Sequence, residues 1–387
     1  MRIFILRQFI FSVFILLLIY SCSRKPKNFE QLLNNIKEST PEQYDQLISE
    51  YIMQQPKFPE IIDTTAYFLY KSQGHNDVYL FGDMCAWKPD SIKLNRIDGT
   101  DFCFVKQVFP ANARIEYKFI ENNQALLDPM NDLKDGGPLG KNSVLFMPEF
   151  KFSKYILAQR ENATSKLDTI DFKSRILNNS RKILIYKRET DEQINTLILF
   201  NDGPEYIQYA NAQIILDNLI ADGKIPEVYG VFIPPVDRMK EYWLNENYIR
   251  MIFTELIPHL KNTYHLDNSV DIGMGGASLG GVISLFALTK FKNQLDFVFS
   301  QSGALQISDS SIVDLMNKAN YRQTKICLQY GTFESMGKIH QELENVLQSK
   351  KVNYVMEKIP EGHNWGNWRG HLPEALIYCL NNGESTP

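Results

Sequence analysis

The chain has 387 residues, 44% hydrophobic, 22% charged and 12% aromatic. That composition excludes a collagenous, low-complexity or mostly disordered chain and calls for two domains, or one with a substantial extra. A formal charge of −4 argues against a nucleic-acid protein, whose binding face is strongly basic. Five scattered cysteines do not make a disulfide scaffold, and the absence of CxxC and HExxH motifs leaves a metal site without support.

The first elements belong to targeting. Arg2 and Arg7 precede an apolar run from Phe9 to Tyr20 that is short for a membrane span. It ends in Leu18-Ile19-Tyr20-Ser21-Cys22, which resembles a bacterial lipoprotein lipobox. The expectation is a signal peptide over 1–21 and lipidation of Cys22, the alternative being an uncleaved anchor helix. An acylated Cys22 tethers the protein to a membrane of the cell envelope, facing the periplasm or the cell surface. Among the other cysteines a Cys85–Cys103 bridge is open, with buried free thiols the competing reading.

Residues 22–60 read as a tether and short helices. Phe29, Leu32, Leu33 and Ile36 recur at helical steps, and Thr40-Pro41-Glu42 opens a second helix. From 61 to 150 short β-rich runs follow: Thr65–Tyr70, Val78–Phe81, Phe102–Val105, Ile115–Phe119 and Asn142–Pro148, separated by polar turns. Such spacing predicts an antiparallel β-sandwich. Phe81-Gly82-Asp83, Trp87, Tyr117-Lys118-Phe119 and Asp128-Pro129 resemble the immunoglobulin-like E-set domains that precede some carbohydrate-active enzymes and esterases. Whether this unit recruits substrate, packs on its neighbour or builds the active site is left open. A linker is placed at 151–165.

Over 166–387 apolar strands alternate with helices. The strands are Ile183–Tyr186, Leu197–Phe200, Val228–Ile233, Val270–Gly273, Phe297–Ser300, Ile326–Tyr330 and Tyr354–Glu357. The helices are Ala212–Leu219, Tyr248–Tyr264, Gly281–Leu288, Lys338–Gln348 and Pro373–Leu380. This is the pattern of an α/β fold with a predominantly parallel sheet covered on both faces.

Gly276-Ala277-Ser278-Leu279-Gly280-Gly281 lies between a strand and a helix, the setting of a nucleophile elbow. Glycines relieve the crowding of so tight a turn, and Ser278 then stands above the strand ends. A serine hydroxyl needs a base. Of six histidines, His363 in Pro360-Glu361-Gly362-His363-Asn364-Trp365 lies in a loop just after an apolar strand. His340 is expected on a helix surface and His371 at the start of the last helix. The acid is read as Glu334 after Tyr330-Gly331, with Asp296, Asp309, Asp314 and Glu361 as rivals. For an oxyanion, Leu279 N–H is one donor, and Gly203 in Phe200-Asn201-Asp202-Gly203-Pro204 is the choice for the second. Tyr242, Trp365 and Trp368 form an aromatic wall or pack around the histidine loop. Arg238 and Arg369 hold an anionic group or form surface ion pairs.

Leu199-Phe200-Asn201-Asp202-Gly203, Val236-Asp237-Arg238, Glu255-Leu256-Ile257-Pro258, the Ser278 elbow, Gly331-Thr332-Phe333-Glu334 and Gly362-His363-Asn364-Trp365-Gly366-Asn367-Trp368-Arg369 resemble the putative-esterase (esterase D) family, in its enterochelin-esterase-like branch. The resemblance implies an α/β-hydrolase fold and a Ser-Asp/Glu-His esterase needing no cofactor and no metal. Asn201 and Pro204 depart from the family pattern. Expected substrates are a siderophore-type lactone or aryl ester, or a feruloyl or acetyl ester on a polysaccharide. A catalytically inactive glycan-binding lipoprotein is the non-enzymatic alternative, and no nucleic-acid partner is expected.

Overall fold

The fold is that of a computed structural model, which describes residues 25–381 apart from 56, 75, 158–164, 191, 292, 309–310 and 322. The lipobox and Cys22 lie outside the described residues.

Helices Phe29–Lys37 and Pro41–Gln54 open the described chain. Ten strands follow: β1 (Glu60–Ile62), β2 (Thr65–Lys71), β3 (Val78–Gly82), β4 (Ile92–Lys93), β5 (Asn95–Arg96), β6 (Phe102–Val108), β7 (Arg114–Glu121), β8 (Gln124–Leu126), β9 (Lys134–Gly137) and β10 (Gly140–Phe146). They form two antiparallel sheets, β1-β2-β6-β5 and β4-β3-β7-β10-β9, with β8 beside β7. The sheets face each other as a sandwich. The two-residue period of β2 places Phe68 and Tyr70 in the core shared with Leu80, Ile115, Tyr117 and Phe119. Tyr67 and Leu69 point the other way, into an apolar layer with Phe29, Leu32, Ile48 and Tyr51 of the two helices.

The same alternation decides the outer face of β7. Ile115, Tyr117 and Phe119 fill the sandwich, so Arg114, Glu116 and Lys118 fall on the opposite face. Charged residues there read as a solvated face, yet Arg114 and Glu116 are almost wholly buried. What covers them is the second unit.

That unit is an eight-stranded sheet of β11 (Ser165–Ser174), β12 (Asn179–Arg188), β13 (Thr196–Asn201), β14 (Tyr229–Ile233), β15 (Asp271–Ala277), β16 (Phe297–Gln301), β17 (Lys325–Gly331) and β18 (Tyr354–Ile359). Its order is β11-β12-β14-β13-β15-β16-β17-β18. From β14 to β18 all neighbours are parallel, while β11 and β12 form an antiparallel edge. Strand β11 was not among the sequence expectations. Lys166, Asp168, Asp171 and Lys173 break its apolar pattern because it lies at the sheet edge. Along β13, Leu197 and Leu199 join one core with helices Leu279–Lys290 and Gly337–Lys350. Ile198 and Phe200 join another with helices Ala212–Ala221 and Trp365–Leu380. This is an α/β-hydrolase sheet covered on both faces, preceded by a β-sandwich.

Three local expectations change. The expected helix Tyr248–Tyr264 is Glu246–Met251 and Ile257–Thr263 joined by a π-helical turn, Ile252–Leu256. The last helix begins at Trp365 rather than Pro373, so His371 lies inside it. His340 is buried, its ring stacked on Tyr330 at 4.5 Å, because its side of helix Gly337–Lys350 meets the sheet. Cys85, Cys103, Cys327 and Cys379 are free thiols, with Cys85 only half-buried.

The two units are joined through Arg114. Its Nη2 donates to Glu116 Oε1 at 2.7 Å and to Asp135 Oδ2 at 2.6 Å, and its Nη1 donates to Asn364 Oδ1 at 2.9 Å. Glu361 Oε2 lies 3.7 Å away. Arg369, expected at the surface or in a binding site, instead pairs with Asp135 and donates to the Tyr209 carbonyl at 3.0 Å. Arg114→Ala leaves the buried Glu116, and the half-buried Asp135 beside it, with less compensation. It is expected to destabilise the protein by about 3–5 kcal/mol, read as a lower midpoint in urea unfolding.

Candidate active site

Parallel strands aim their carboxyl ends at one edge of a sheet, and ligands bind there. Asp202 follows β13, Ser278 follows β15, Ser302 follows β16, Glu334 comes shortly after β17 and His363 after β18. Three of these residues, Asp202, Ser278 and Ser302, hold positive φ angles of 55°, 55° and 47° without being glycine. Such conformations are costly and persist only when surroundings impose them.

Ser278 sits at φ 55° and ψ −120° between β15 and helix Leu279–Lys290. Its own N–H donates to the Gln301 carbonyl at 2.9 Å. The flanking glycines are required by contact. A Cβ at Gly276 would lie 2.7 Å from the carbonyl carbon of Gly280, and one at Gly281 would lie 2.4 Å from Ser300 Oγ. Asn201 has its reason here too. Its Nδ2 donates to Ser284 Oγ at 2.9 Å and to the Gly280 carbonyl at 3.3 Å, while Tyr248 OH donates to its Oδ1 at 2.8 Å. A buried amide thus stitches the end of β13 to the elbow, where an apolar residue would leave Tyr248 without this partner.

His363 Nε2 lies 3.0 Å from Ser278 Oγ, and His363 Nδ1 lies 3.2 Å from Glu334 Oε2. The Glu334 side chain is 1% exposed and that of His363 34%. Glu334 Oε1 also accepts from Gly331 N–H at 2.9 Å and from Ser302 Oγ at 2.5 Å. An imidazole between a hydroxyl and an oriented carboxylate can draw the hydroxyl proton as the oxygen attacks. The rival acids are engaged elsewhere or lie elsewhere. Glu361 contacts His371 Nε2 at 2.9 Å, Asp296 accepts from Ile272 N–H at the opposite end of the sheet, and Asp314 is exposed. Asp309 lies outside the described residues.

The site opens into a cleft of about 700 Å³ between the two units. Phe81, Trp87, Trp365 and Trp368 supply aromatic surface, and the sandwich adds Glu116, Lys118, Asn142 and the turn from Gly136 to Gly140. Asp202, Glu205 and Arg238 lie on the hydrolase side. Burial raises the Glu205 carboxyl above its ordinary range, and the neighbouring Asp202 carboxylate adds to this. Arg238 is held by Asp202, with Nε–Oδ1 and Nη2–Oδ2 both 2.8 Å.

Tyr242 is not part of the aromatic wall. It is wholly buried, and its hydroxyl accepts from Asp202 N–H at 2.8 Å. Gly203 is glycine for a reason other than approach to substrate, because a Cβ there would lie 2.2 Å from the Phe232 carbonyl carbon. It opens helix Gly203–Gln208, whose first turn tolerates Pro204 because no intrahelical N–H bond is needed there. The sandwich also shapes the loop that carries His363. Asn364 Nδ2 donates to Asp83 Oδ2 at 3.1 Å, and a Cβ at Gly362 would meet Asp83 Oδ1 at 2.0 Å. Burial, with the Glu116 charge beside it, pushes the Asp83 carboxyl well above the usual carboxylate range. The sequence motifs contained Asp83 but gave no sign that it touches this loop. Among the described residues no cluster of His, Cys, Asp and Glu is arranged to hold a metal ion.

Residues 174–379 match the family described as Putative esterase, and the chain belongs to that family. It is 22% identical over 231 residues to the uncharacterised Bacillus subtilis protein YjcH, covering 54% of this chain and 95% of that one. Among solved structures it is similar to the ferric enterobactin esterase of Salmonella typhimurium, with a TM-score of 0.72 and 19% identity over 86% of this chain and 98% of that chain. The enterobactin esterase FES of Shigella flexneri, crystallised in the presence of enterobactin, gives a TM-score of 0.68 and 22% identity over 81% and 92%. At this identity the structural likeness establishes the fold, sandwich included. The chain is an esterase.

Gly276→Ala forces the elbow apart by placing a methyl group against Gly280. Displacing a reacting group by on the order of 1 Å costs about 10² in rate. The expected outcome is a folded protein, by circular dichroism, with kcat for an aryl ester reduced about a hundredfold.

Proposed function

We propose that this member of the esterase family hydrolyses carboxylic esters carrying a hydroxylated aromatic group, through an acyl-enzyme formed on Ser278. The observation that carries the reading is the 3.0 Å contact of Ser278 Oγ with His363 Nε2 on the floor of an aromatic cleft. Ser278 Oγ attacks the ester carbonyl while His363 takes its proton and returns it to the leaving alkoxide. Water then repeats the cycle on the acyl-enzyme. Glu334 keeps the His363 proton on Nδ1 and stabilises the imidazolium. Leu279 N–H is one donor to the oxyanion. For the second, the loop after β13 leaves Gly203: Pro204 has no N–H, and that of Asp202 is given to Tyr242. No organic cofactor or metal enters these steps.

Charge in the cleft bears on the substrate. Arg238 is neutralised by Asp202, and Arg369 is turned to Asp135. Lys118 is then the lining cation without a carboxylate partner among the described residues. Such a cleft suits an aromatic ester of low charge, either a metal-free catecholate lactone or a hydroxycinnamoyl ester. A polyanionic iron complex would call for more uncommitted cations. The enterobactin esterases of similar fold support the lactone, and the aromatic wall supports both. A simple acetyl ester on a polysaccharide makes no use of four aromatic rings. We place the enzyme in the cell envelope, anchored through Cys22, on the strength of the lipobox resemblance.

Ser278→Ala is expected to lower kcat by roughly 10⁴ or more, and Glu334→Gln by about 10²–10⁴ with KM little changed. A folded Ser278→Ala protein that still turns over would overturn the reading. Across matched substrates, kcat/KM is expected to fall from metal-free catecholate lactone and feruloyl ester to ferric lactone, the order that steady-state assays check. In cells, Cys22→Ser is expected to abolish incorporation of labelled fatty acid.

A further inference from the structure

Ser302 lies immediately after β16 and takes no part in the expected chemistry, yet its geometry is demanding. Its φ of 47° is a conformation for which a side chain is a disadvantage. Its N–H donates to the Gln329 carbonyl at 2.6 Å, fixing the residue to the end of β17. Its Oγ lies 2.5 Å from Glu334 Oε1 and 3.0 Å from Trp368 Nε1.

Donor chemistry fixes the direction of this chain. An indole N–H only donates, so Ser302 Oγ accepts from Trp368. The single hydroxyl proton then points to Glu334. Gly331 N–H donates to the same carboxylate oxygen. Oε1 therefore carries two donors, and Oε2 is turned to His363 Nδ1 at 3.2 Å. Trp368 also lines the cleft and packs edge-on against the His363 ring, with centroids 5.1 Å apart.

We infer that Ser302 is a positioning residue for the hydrolysis, holding Glu334 aimed at His363 through a hydroxyl that Trp368 orients. The inference rests on the assignment of Ser278, His363 and Glu334 above. It gives the strained backbone at Ser302 a purpose, since glycine would suit the backbone there but would remove the hydroxyl.

The test uses Ser302→Gly, which the positive φ accommodates, and Ser302→Ala, beside Glu334→Gln, with p-nitrophenyl acetate as the small probe ester. Loss of a hydrogen bond to a charged group is expected to lower kcat about tenfold in both Ser302 variants, with KM within about twofold of the parent. Without the donor the carboxylate holds the imidazolium proton more tightly. The acid limb of kcat/KM against pH is therefore expected to move to higher pH. Thermal melting confirms that each variant is folded. Folded Ser302 variants with parental kcat and an unmoved acid limb, beside a slowed Glu334→Gln, would overturn the inference while leaving the triad standing. A loss seen only as raised KM would also overturn it. Full activity in Glu334→Gln would overturn the acid assignment itself, and the role of Ser302 with it.

Discussion

A single guanidinium holds this structure's functional half in place. Arg114 is buried, and a buried cation must be matched by carboxylates and acceptors or it destabilises the fold. Its partners come from both units: Glu116 and Asp135 from the sandwich, Asn364 and Glu361 from the loop that carries His363. The demand propagates into the sequence. Gly366 must be glycine because a Cβ there would lie 2.1 Å from the centre of that guanidinium. Gly137 must be glycine because a Cβ there would lie 2.5 Å from the Trp365 ring. The sandwich is therefore a wall of the cleft at Ser278 and a clamp on the loop that carries His363. That rules out a sandwich serving only as a tethered recruiting module.

The hydrolase half brings Ser278, Glu334 and His363 together by a different principle. Five neighbouring strands end on the same edge, and the chain turns sharply at each end. Positive φ angles after β13, β15 and β16 show where the turns are tightest. Each is held by a bond to another strand or helix: Asp202 by Tyr242, Ser278 by Gln301, Ser302 by Gln329. Strain is thus spread over three strand ends and offset by the packed sheet below them.

Electrostatics follows from both halves. The interface gathers acids, yet almost every one has a cation or a set of donors. Glu116 receives Arg114 and the Asn142 amide, and Asp202 receives Arg238. What remains open to substrate is mostly aromatic surface with little net charge.

Much of this was legible in the residues themselves. Period-two runs marked the sandwich strands, continuous apolar runs marked the buried parallel strands, and the glycine-flanked Ser278 marked the elbow. These are local properties, and local sterics and burial dictate them. The chain order of Ser278, Glu334 and His363 was legible as well, because strand ends in this fold project to one edge. The tertiary structure alone decided which faces were covered. The alternation in β7 told which residues point away from the sandwich core, but not that another domain would bury Arg114 and Glu116. The same limit applied to Arg369, Tyr242 and His340, whose side chains are polar or amphipathic and take their role from whatever packs against them. A charge or a hydroxyl is chemically the same in solvent and at an interface. Only the partner brought to it by the fold distinguishes the two, and that partner lies far away in sequence, as Asn364 does from Arg114.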